Sequence, residues 1–183
     1  LEFRRVLFRS VEDEVAFGPS HLGLDAVGIE QRVARALEVC GLGGRRGIDP
    51  FLLTRGERER LAVASVLALE PGILILDEPT TGLDHREQHA LAALLAGLHR
   101  AGTTVIVITH APWLVVEHAT RVILMDDGRP VHDGPVADLV GRTDLLRRTR
   151  FTLPEATELG LRLSIFARSA GELADRLVAE ARS

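Results

Sequence analysis

The sequence predicts an α/β fold that contains a parallel β-sheet with helices packed against it. Residues 73–76 and Thr104–Ile108 are short apolar runs, the second rich in β-branched side chains, and both have the composition of buried strands. A helical pattern at His85–Arg100 separates them. Since strands that alternate with helices usually pair in parallel, we expect both runs to lie in one sheet that is buried on both faces. Ligands bind such sheets at the carboxyl ends of the strands.

Further elements precede and follow these runs. Residues 29–40 and 56–69 have helical patterns, and the second leads directly into the first strand. Residues 121–125 form another apolar run that reaches a turn at residues 126–129, which predicts a β-hairpin. Residues 170–181 are amphipathic and predict a helix in the carboxyl-terminal appendage. One face of the first predicted helix collects Ile29, Val33, Ala36, Leu37 and Cys40, and Gly41 then ends the helix.

The composition is that of a globular domain. The chain has 183 residues, of which 46% are apolar, enough to form a core. Its 22 basic and 26 acidic residues give a net charge of −4, which argues against nucleic acid as the main partner. The single cysteine, Cys40, forms no internal disulfide. The longest apolar stretch, residues 61–76, is interrupted by Glu70, Pro71 and Gly72, so it falls short of the roughly 18 residues of a membrane helix.

The first ten residues differ in character from the rest. The segment LEFRRVLFRS carries three arginines, and an acidic segment follows from Val11. Its last four residues, Leu-Phe-Arg-Ser, are what the end of a common sequencing adapter would encode. We therefore expect residues 1–10 to be non-native and the native sequence to begin near Val11, on a truncated gene fragment. An ordinary basic amino-terminal segment is the alternative.

Two adjacent carboxylates, Asp77 and Glu78, follow the first predicted strand. At a sheet edge, one carboxylate can serve Mg²⁺, which prefers oxygen ligands and keeps several waters. The next can accept a proton from an attacking water molecule. The simpler interpretation makes Asp77 a turn residue and Glu78 a solvated charge. The residues that follow, 80–84, favour the chemical interpretation.

A second candidate site opens the helix predicted at residues 56–69. Thr54 and Glu57 have the spacing of a capping box, in which each side chain binds the backbone of the other residue. A helix N-terminus also presents N–H groups to phosphate, and Gly56 allows the backbone to approach a ligand closely. Asp84 has the same capping spacing with Glu87, ahead of the next helix.

The segment ILILDEPTTGLD resembles the Walker B strand and D-loop of ABC ATPases. The resemblance implies that Asp77 supports Mg²⁺ and that Glu78 is the catalytic base of ATP hydrolysis. It also implies that Asp84 is the D-loop aspartate that crosses the interface between two ATPase subunits, a role compatible with helix capping. His110 is similar to the switch histidine of the family, which senses the γ-phosphate and orients the attacking water. A structural histidine at the strand end is the alternative.

Residues 53–57, LTRGE, resemble the ABC signature sequence LSGGQ, and the helix that they open runs directly into the Walker B strand. The resemblance implies a site for the γ-phosphate of ATP held by the opposite subunit, formed by Thr54, Arg55, Gly56 and Glu57. Three residues depart from the family pattern: Thr54 replaces serine, Arg55 replaces the first glycine, and Glu57 replaces glutamine. Thr54 retains a hydroxyl group, whereas Arg55 adds a charge that can meet either phosphate or solvent.

The resemblance covers about residues 11–163 and implies a P-loop NTPase-like sheet core with a helical signature subdomain. Residues 11–24 and the tail segment LPEATELGLRL are similar to energy-coupling-factor ATPases, which power cobalt, nickel and vitamin uptake. This implies ATP and Mg²⁺, a second ABC ATPase subunit in a head-to-tail dimer, and an integral membrane transporter subunit as partners. It also implies that the ATPase lies at the cytoplasmic face of the membrane. The sequence lacks the phosphate-binding loop GxxxxGK[ST], the Q-loop glutamine and the adenine-stacking aromatic residue, which we expect upstream of Val11.

These features predict a division into domains. Residues 11–140 are expected to form a partial ABC ATPase domain, with a helical signature subdomain at 11–69 and a Walker B and switch core at 70–140. Residues 141–183 form the helical appendage. Two other functions stay open: a soluble ABC ATPase of DNA repair or translation, and a non-enzymatic fragment that dimerises through the D-loop and signature. The acidic balance and the lack of a basic patch, zinc cysteines or a coiled coil disfavour the first.

The resemblance to energy-coupling-factor ATPases implies that the surface around residues 11–24 receives a helix from the membrane subunit. Asp13 and Glu14 flank the apolar residues Val15, Ala16 and Phe17, an arrangement typical of an interface anchor with a charged rim. The alternative buries Phe17 in the core and leaves the two acids solvated.

Overall fold

The computed structural model describes residues 10–180, which form two compact units. The first unit ends at Ile108, and the second begins at Thr109. Residues 1–10 are predicted to be non-native, and all of them except Ser10 lie outside the described residues.

The first unit contains four helices and two strands among its described residues. In chain order these are α1 Val11–Ser20, α2 Ala26–Val39, α3 Arg55–Leu67, β1 Ile73–Asp77, α4 His85–Arg100 and β2 Thr104–Ile108. Two short 3₁₀ turns, Gly43–Arg45 and Pro50–Leu52, lie between α2 and α3. The predicted strands and the helix between them are therefore confirmed, and α4 and β2 have the predicted bounds.

The two strands of the first unit pair in parallel, as the sequence predicts. Their register places Ile73 opposite Thr104 and Asp77 opposite Ile108. One face of the pair packs on the core of the unit through Leu74, Leu76, Val105 and Val107. The other face is exposed and carries Ile73, Ile75, Ile106 and Ile108. The expectation of burial on both faces is wrong, because the described residues build a hydrophobic layer against one face only.

The core of the first unit joins the sheet to a cluster of three helices. Fully buried side chains come from α1 (Val11, Val15), from α2 and the turn after it (Leu37, Leu42), and from α3 (Ala64). Helix α1 has no strong sequence pattern, since Gly18 and Pro19 lie within it. Its start is stabilised locally, because the Ser10 hydroxyl accepts a hydrogen bond from the Asp13 N–H at 3.2 Å and three acidic residues occupy its positive end.

Both predicted capping boxes are confirmed. At α3, Thr54 and Glu57 bind each other's backbone N–H groups, and at α4 Asp84 and Glu87 do the same. These reciprocal bonds satisfy donors that a helix start leaves without partners, so they fix where each helix begins. None of the helices described between residues 10 and 180 combines the length and apolar character needed to cross a membrane.

The second unit contains five helices and a two-stranded antiparallel sheet within the described chain. Its elements are α5 Pro112–His118, β3 Arg121–Asp126, β4 Arg129–Pro135, α6 Val136–Val140, α7 Thr143–Thr149, α8 Glu155–Arg162 and α9 Ala170–Glu180. The predicted hairpin and the predicted helix near the carboxyl terminus are both present. Asp127 and Gly128 at the hairpin turn have positive φ angles of 46° and 72°, the geometry that suits a tight two-residue connection.

Candidate functional site

The end of β1 presents Asp77 at the edge of the parallel sheet. Asp77 is the last residue of the strand and is paired with Ile108, the last residue of β2. Its side chain is exposed, and within residues 10–180 its carboxylate forms no hydrogen bond or ion pair. An exposed carboxylate at this edge is a hard oxygen ligand that a divalent cation or its bound water can reach.

Glu78 is held in an uncommon conformation directly after the strand. Its φ angle is +49°, in the left-handed region that residues with a Cβ rarely occupy. Its backbone N–H donates to the carbonyl of Ile108 at 2.8 Å, and the Thr81 hydroxyl donates to its Oε2 at 3.2 Å. Both the backbone and the carboxylate of Glu78 are therefore positioned by neighbouring groups, and such strained positions cluster at functional sites.

The loop between Glu78 and α4 is organised by local hydrogen bonds. The Thr81 N–H donates to the Glu78 carbonyl at 3.1 Å, and the Leu83 N–H donates to the Thr80 carbonyl at 3.3 Å. The Gln88 side-chain amide, on α4, donates to the carbonyls of Thr80 and Leu83. These contacts bring the predicted D-loop residue Asp84 to the start of α4, where its Oδ1 accepts from the Glu87 N–H at 2.8 Å.

The start of α3 is built around Glu57. Its Oε2 accepts from the Thr54 N–H at 2.9 Å, and its own N–H donates to the Thr54 hydroxyl at 3.2 Å. The Arg45 guanidinium donates to the other carboxylate oxygen at 3.0 Å. The Thr54 backbone hydrogen bond first, and the Arg45 contact after it, hold the pKa of Glu57 below its ordinary value. Glu57 is thus a charged helix cap.

Arg55 contacts the loop after β1. Its Nη2 donates to the Thr81 carbonyl at 3.0 Å, and its guanidinium lies directly over Gly82, where a Cβ would collide with it. Gly82 has a φ angle of +74°, which a glycine adopts without strain. The sequence left open whether Arg55 meets phosphate or solvent. In this structure its guanidinium instead binds the predicted D-loop of its own chain.

Glu87 forms a second link between α3 and the same loop. Its Oε1 accepts from the Gly56 N–H at 3.1 Å, while its Oε2 accepts from the Asp84 N–H at 3.3 Å. Gly56 has no room for a Cβ, because the Glu87 carboxylate lies against it. Sequence reasoning identified Glu87 only as a cap for α4. No local spacing indicates its contact with Gly56, since the two residues are 31 positions apart.

An open cleft of about 650 Å³ lies beside these helix starts. Its walls include three of the predicted site residues, Thr54, Glu57 and Asp84, together with Arg60 and Glu87. Residues predicted to belong to the signature and to the D-loop therefore line one cleft of the first unit, as an interface or phosphate site would require.

His110 belongs to the second unit and follows the end of β2 by two residues. It is exposed, and the Ala111 N–H donates to the Thr109 hydroxyl beside it at 3.0 Å. The role of His110 as a switch histidine stays a prediction.

Comparison with known proteins gives the family. A family profile described as "AAA domain, putative AbiEii toxin, Type IV TA system" matches residues 3–116, which is more than half of the chain. The chain belongs to this AAA domain family. The individual proteins that it resembles are ATP-binding proteins of ABC and energy-coupling-factor transporters.

Two curated relatives and one solved structure illustrate this similarity. The AAA domain chain is 42% identical over 154 residues to "Putative ABC transporter ATP-binding protein TTE1589" from Caldanaerobacter subterraneus subsp. tengcongensis, covering 84% of the chain and 27% of that protein. It is 37% identical over 154 residues to "Energy-coupling factor transporter ATP-binding protein EcfA" from Methanothermobacter thermautotrophicus, covering 84% of the chain and 50% of that protein. The structure of cbiO1 from Clostridium perfringens, part of the ABC transporter complex cbiONQ, matches with a TM-score of 0.71 and 30% identity, covering 88% of the chain and 63% of that chain.

These similarities confirm the predicted α/β fold and its likeness to ABC ATPase domains. The homologues are ABC transporter ATP-binding proteins, and several are named as energy-coupling-factor subunits. The chain spans about a quarter of the first relative's length and half of the second's.

Proposed function

We propose that this chain is part of the ATP-hydrolysing motor subunit of an ABC importer of the energy-coupling-factor type. The observation that carries the proposal is the position of Glu78, which is fixed at the sheet edge by Ile108 and Thr81 directly after an exposed Asp77. The names of the relatives support the transporter class, and the transported substrate, a metal ion or a vitamin, follows from the subfamily resemblance alone.

In this proposal Asp77 holds Mg²⁺, directly or through a bound water. Its carboxylate fits the ion, because it is exposed and is a hard oxygen donor. Held at Asp77 together with ATP, the ion would supply positive charge that offsets the negative charge developing on the phosphates.

Glu78 acts as the general base that accepts a proton from the attacking water. Its left-handed backbone and the hydrogen bond from Thr81 fix the direction of the carboxylate. A fixed acceptor has less conformational freedom to lose when the water binds, which favours proton transfer. From the family resemblance alone, His110 is assigned the role of the switch histidine, which senses the γ-phosphate and orients the attacking water.

The start of α3 binds the γ-phosphate of ATP held by the opposite subunit in a head-to-tail dimer. Helix N-termini suit phosphate because they combine backbone N–H groups with a positive dipole end. In this structure the Gly56 N–H donates to Glu87 and the Glu57 N–H donates to Thr54. Phosphate binding therefore requires Gly56 to exchange the Glu87 carboxylate for a phosphate oxygen. Asp84 extends across the dimer interface while it caps α4.

Segments outside the printed sequence supply the phosphate-binding loop and the Q-loop in this proposal. The exposed isoleucines on one face of the β1–β2 pair support the presence of such segments, because an apolar sheet face is normally covered by a further layer. The partial coverage of the relatives agrees with it. The 183-residue chain alone is then expected to bind little ATP, since the missing loop supplies most phosphate contacts. Micromolar ATP binding by this chain in calorimetry would contradict that expectation.

A membrane subunit docks along the exposed side of α1, at the cytoplasmic face of the membrane. Phe17 is 47% exposed, which disagrees with the alternative that buries it, and its ring lies 4.6 Å from that of His21. Val15 is fully buried, so the prediction that it belongs to the surface anchor is wrong. The proposed anchor is therefore Phe17 with the half-buried Ala16, and Asp13 and Glu14 form its rim. Charge reversal at Asp13 and Glu14 should abolish assembly with the membrane subunit while the chain stays folded. Stability should fall only slightly, because two of the three acids at the positive end of α1 are replaced by bases. Normal assembly would exclude this docking site.

The deciding experiment uses the longer protein that contains this sequence. Replacement Glu78→Gln should slow ATP hydrolysis by roughly 10²- to 10⁴-fold, the usual contribution of a general base, while ATP binding is unchanged. His110→Ala should impair turnover more than binding.

Glu38→Gln, at an exposed position on α2, is the matched control and should hydrolyse ATP normally. Substantial turnover by Glu78→Gln would show that another group activates the water. Adjacent genes for membrane subunits would support transport.

A further inference from the structure

Two histidines at the start of α4 face each other across one helical turn. His85 and His89 are four residues apart, so their side chains lie on the same side of the helix. Their Nε2 atoms are 3.1 Å apart, and their ring centroids are 4.3 Å apart. His85 is exposed and His89 is half-buried, so both rings are within reach of solvent.

We propose that His85 and His89 form a two-ligand binding site for a divalent late first-row transition metal. Imidazole nitrogens bind such ions at about 2.0–2.1 Å, and nitrogens 3.1 Å apart would then give an N–metal–N angle of about 95–102°. This angle lies between the roughly 90° of octahedral and the roughly 109° of tetrahedral coordination. The separation of the two nitrogens therefore suits one shared ion with little movement, and water completes the coordination shell.

The donor type sets which ions the pair can hold. Imidazole suits Zn²⁺, Ni²⁺ and Cu²⁺, whereas Mg²⁺ prefers oxygen ligands and near-octahedral geometry. The histidine pair is thus chemically distinct from the Asp77 carboxylate, and ATP-bound Mg²⁺ does not compete for it. The affinities should follow the general order for nitrogen sites, with Cu²⁺ bound more tightly than Ni²⁺ or Zn²⁺.

Metal binding replaces a hydrogen bond between the two rings. In the metal-free pair, one ring donates its Nε2–H to the Nε2 atom of the other. To bind a metal, both Nε2 atoms must offer lone pairs, so the donating ring carries its proton on Nδ1 instead. This is a change of tautomer in a neutral ring, and it needs no oxidant, reductant or further ligand from the protein.

The thiol of the chain does not compete with this site. Cys40 is 2% exposed, and burial raises its pKa to about 12, with a smaller opposing effect of Arg60. Metals bind the thiolate form, which is therefore scarce near neutral pH. Histidines elsewhere in the chain are the real competitors, so the test has to separate this pair from them.

The experiment is calorimetric titration of the 183-residue chain, without an affinity tag, with Cu²⁺, Ni²⁺, Zn²⁺ and Mg²⁺ in turn. The expected result is one saturable site for the first three ions and no binding of Mg²⁺. Replacement His85→Gln or His89→Gln should weaken binding by at least about tenfold, because even the loss of an outer-shell partner costs 10- to 100-fold. Glutamine is a better helix former than histidine, so both variants should keep α4 folded, as circular dichroism can verify.

Two controls on the same helix make the result specific. His99→Gln, at an exposed position in the last turn of α4, removes a histidine without touching the pair and should bind like the original chain. The double replacement His89→Gln with Ala90→His keeps the number of histidines but places the second ring five residues from the first, away from its face. This variant should lose the tight site. Equal affinity of the transposed variant and the original chain, or the absence of saturable binding by the original chain, would overturn the proposal.

Discussion

The guanidinium of Arg55 donates a hydrogen bond to the carbonyl of Thr81 at 3.0 Å and thereby ties the start of α3 to the loop after β1. The two residues are 26 positions apart and belong to two separately recognisable motifs. The contact between Glu87 and Gly56 joins the same two segments from the other side. A movement of the start of α3 is therefore expected to displace the loop after β1, and the reverse.

Replacement Arg55→Ala should loosen the loop that contains Thr81. We expect faster hydrogen exchange at the Thr81 and Leu83 amides, by about fivefold, since an exposed charged hydrogen bond contributes about 1 kcal/mol. Arg100→Ala, at the opposite end of α4, is the control and should leave both amides unchanged. Exchange rates that stay equal to those of the unmodified chain would show that Arg55 does not hold the loop.

Replacement Gly82→Ala should destabilise the first unit. A Cβ at a φ angle of +74° costs about 1–2 kcal/mol, and it also collides with the Arg55 guanidinium. In the double variant with Arg55→Ala the collision is removed and the backbone strain stays. The two changes should therefore be non-additive in urea unfolding, with Gly82→Ala costing less in the absence of the arginine. Additive changes would mean that the arginine simply moves aside.

The elements that the sequence predicted are those that local chemistry determines. Helix α4 begins at His85, where the capping box of Asp84 and Glu87 predicts its start. The hairpin turns at Asp127–Gly128 because those residues tolerate positive φ angles. Helix α1 lacks such a signal, because Gly18 and Pro19 obscure its pattern and its buried face is completed by α2 and α3. The exposure of Ile75 and Ile106 could not be predicted either, because an apolar strand does not reveal how many layers surround it.

Some features of the candidate site could be predicted from the sequence and others could not. Asp77, Glu78 and Asp84 could be placed because each lies at the end or start of a predictable element. The contacts of Arg55 and Glu87 depend on how α3 packs beside the loop after β1, which no spacing within either segment indicates. Long-range hydrogen bonds of this kind require the three-dimensional structure.

Replacement Glu57→Gln, which restores the usual signature residue, should change the pH dependence of stability. Glutamine keeps an oxygen that can accept from Thr54 but loses the ion pair with Arg45, so we expect a loss of about 0.5–1 kcal/mol at neutral pH. Because the pKa of Glu57 is lowered in the folded chain, its contribution is present above its ordinary value of 4.5 and is lost as the pH falls below it.

Urea unfolding of both chains at pH 7 and at about pH 3 measures this difference. The original chain should be the more stable at pH 7, and the two stabilities should converge in acid. Glu59→Gln, on the same helix, is the control and should not alter the pH dependence in this way. A difference that stays constant across this pH range would show that the charge of Glu57 does not stabilise the start of α3.

Cys40 should be unreactive in the folded chain. It is the only cysteine, it is 2% exposed, and burial raises its pKa to about 12 despite the opposing charge of Arg60. At pH 8 the thiolate fraction is then about a thousandfold smaller than for an ordinary cysteine, and the thiolate is the nucleophile. Labelling with a disulfide reagent should therefore be slow in buffer and fast in urea.

Cys40 should also make the free energy of unfolding depend on pH in the alkaline range. Because the pKa of Cys40 is raised on folding, its contribution is fully present below the unfolded value of about 9 and is lost as the pH rises towards 12. Unfolding measured between pH 7 and pH 10 should show a decline in stability that Cys40→Ala, which removes the thiol, makes shallower. The alanine variant also gives the labelling background. Rapid labelling of Cys40 in the folded chain, at a rate that urea does not change, would show that the thiol is accessible. It would contradict both the slow labelling and the decline in stability at high pH that we expect from this residue.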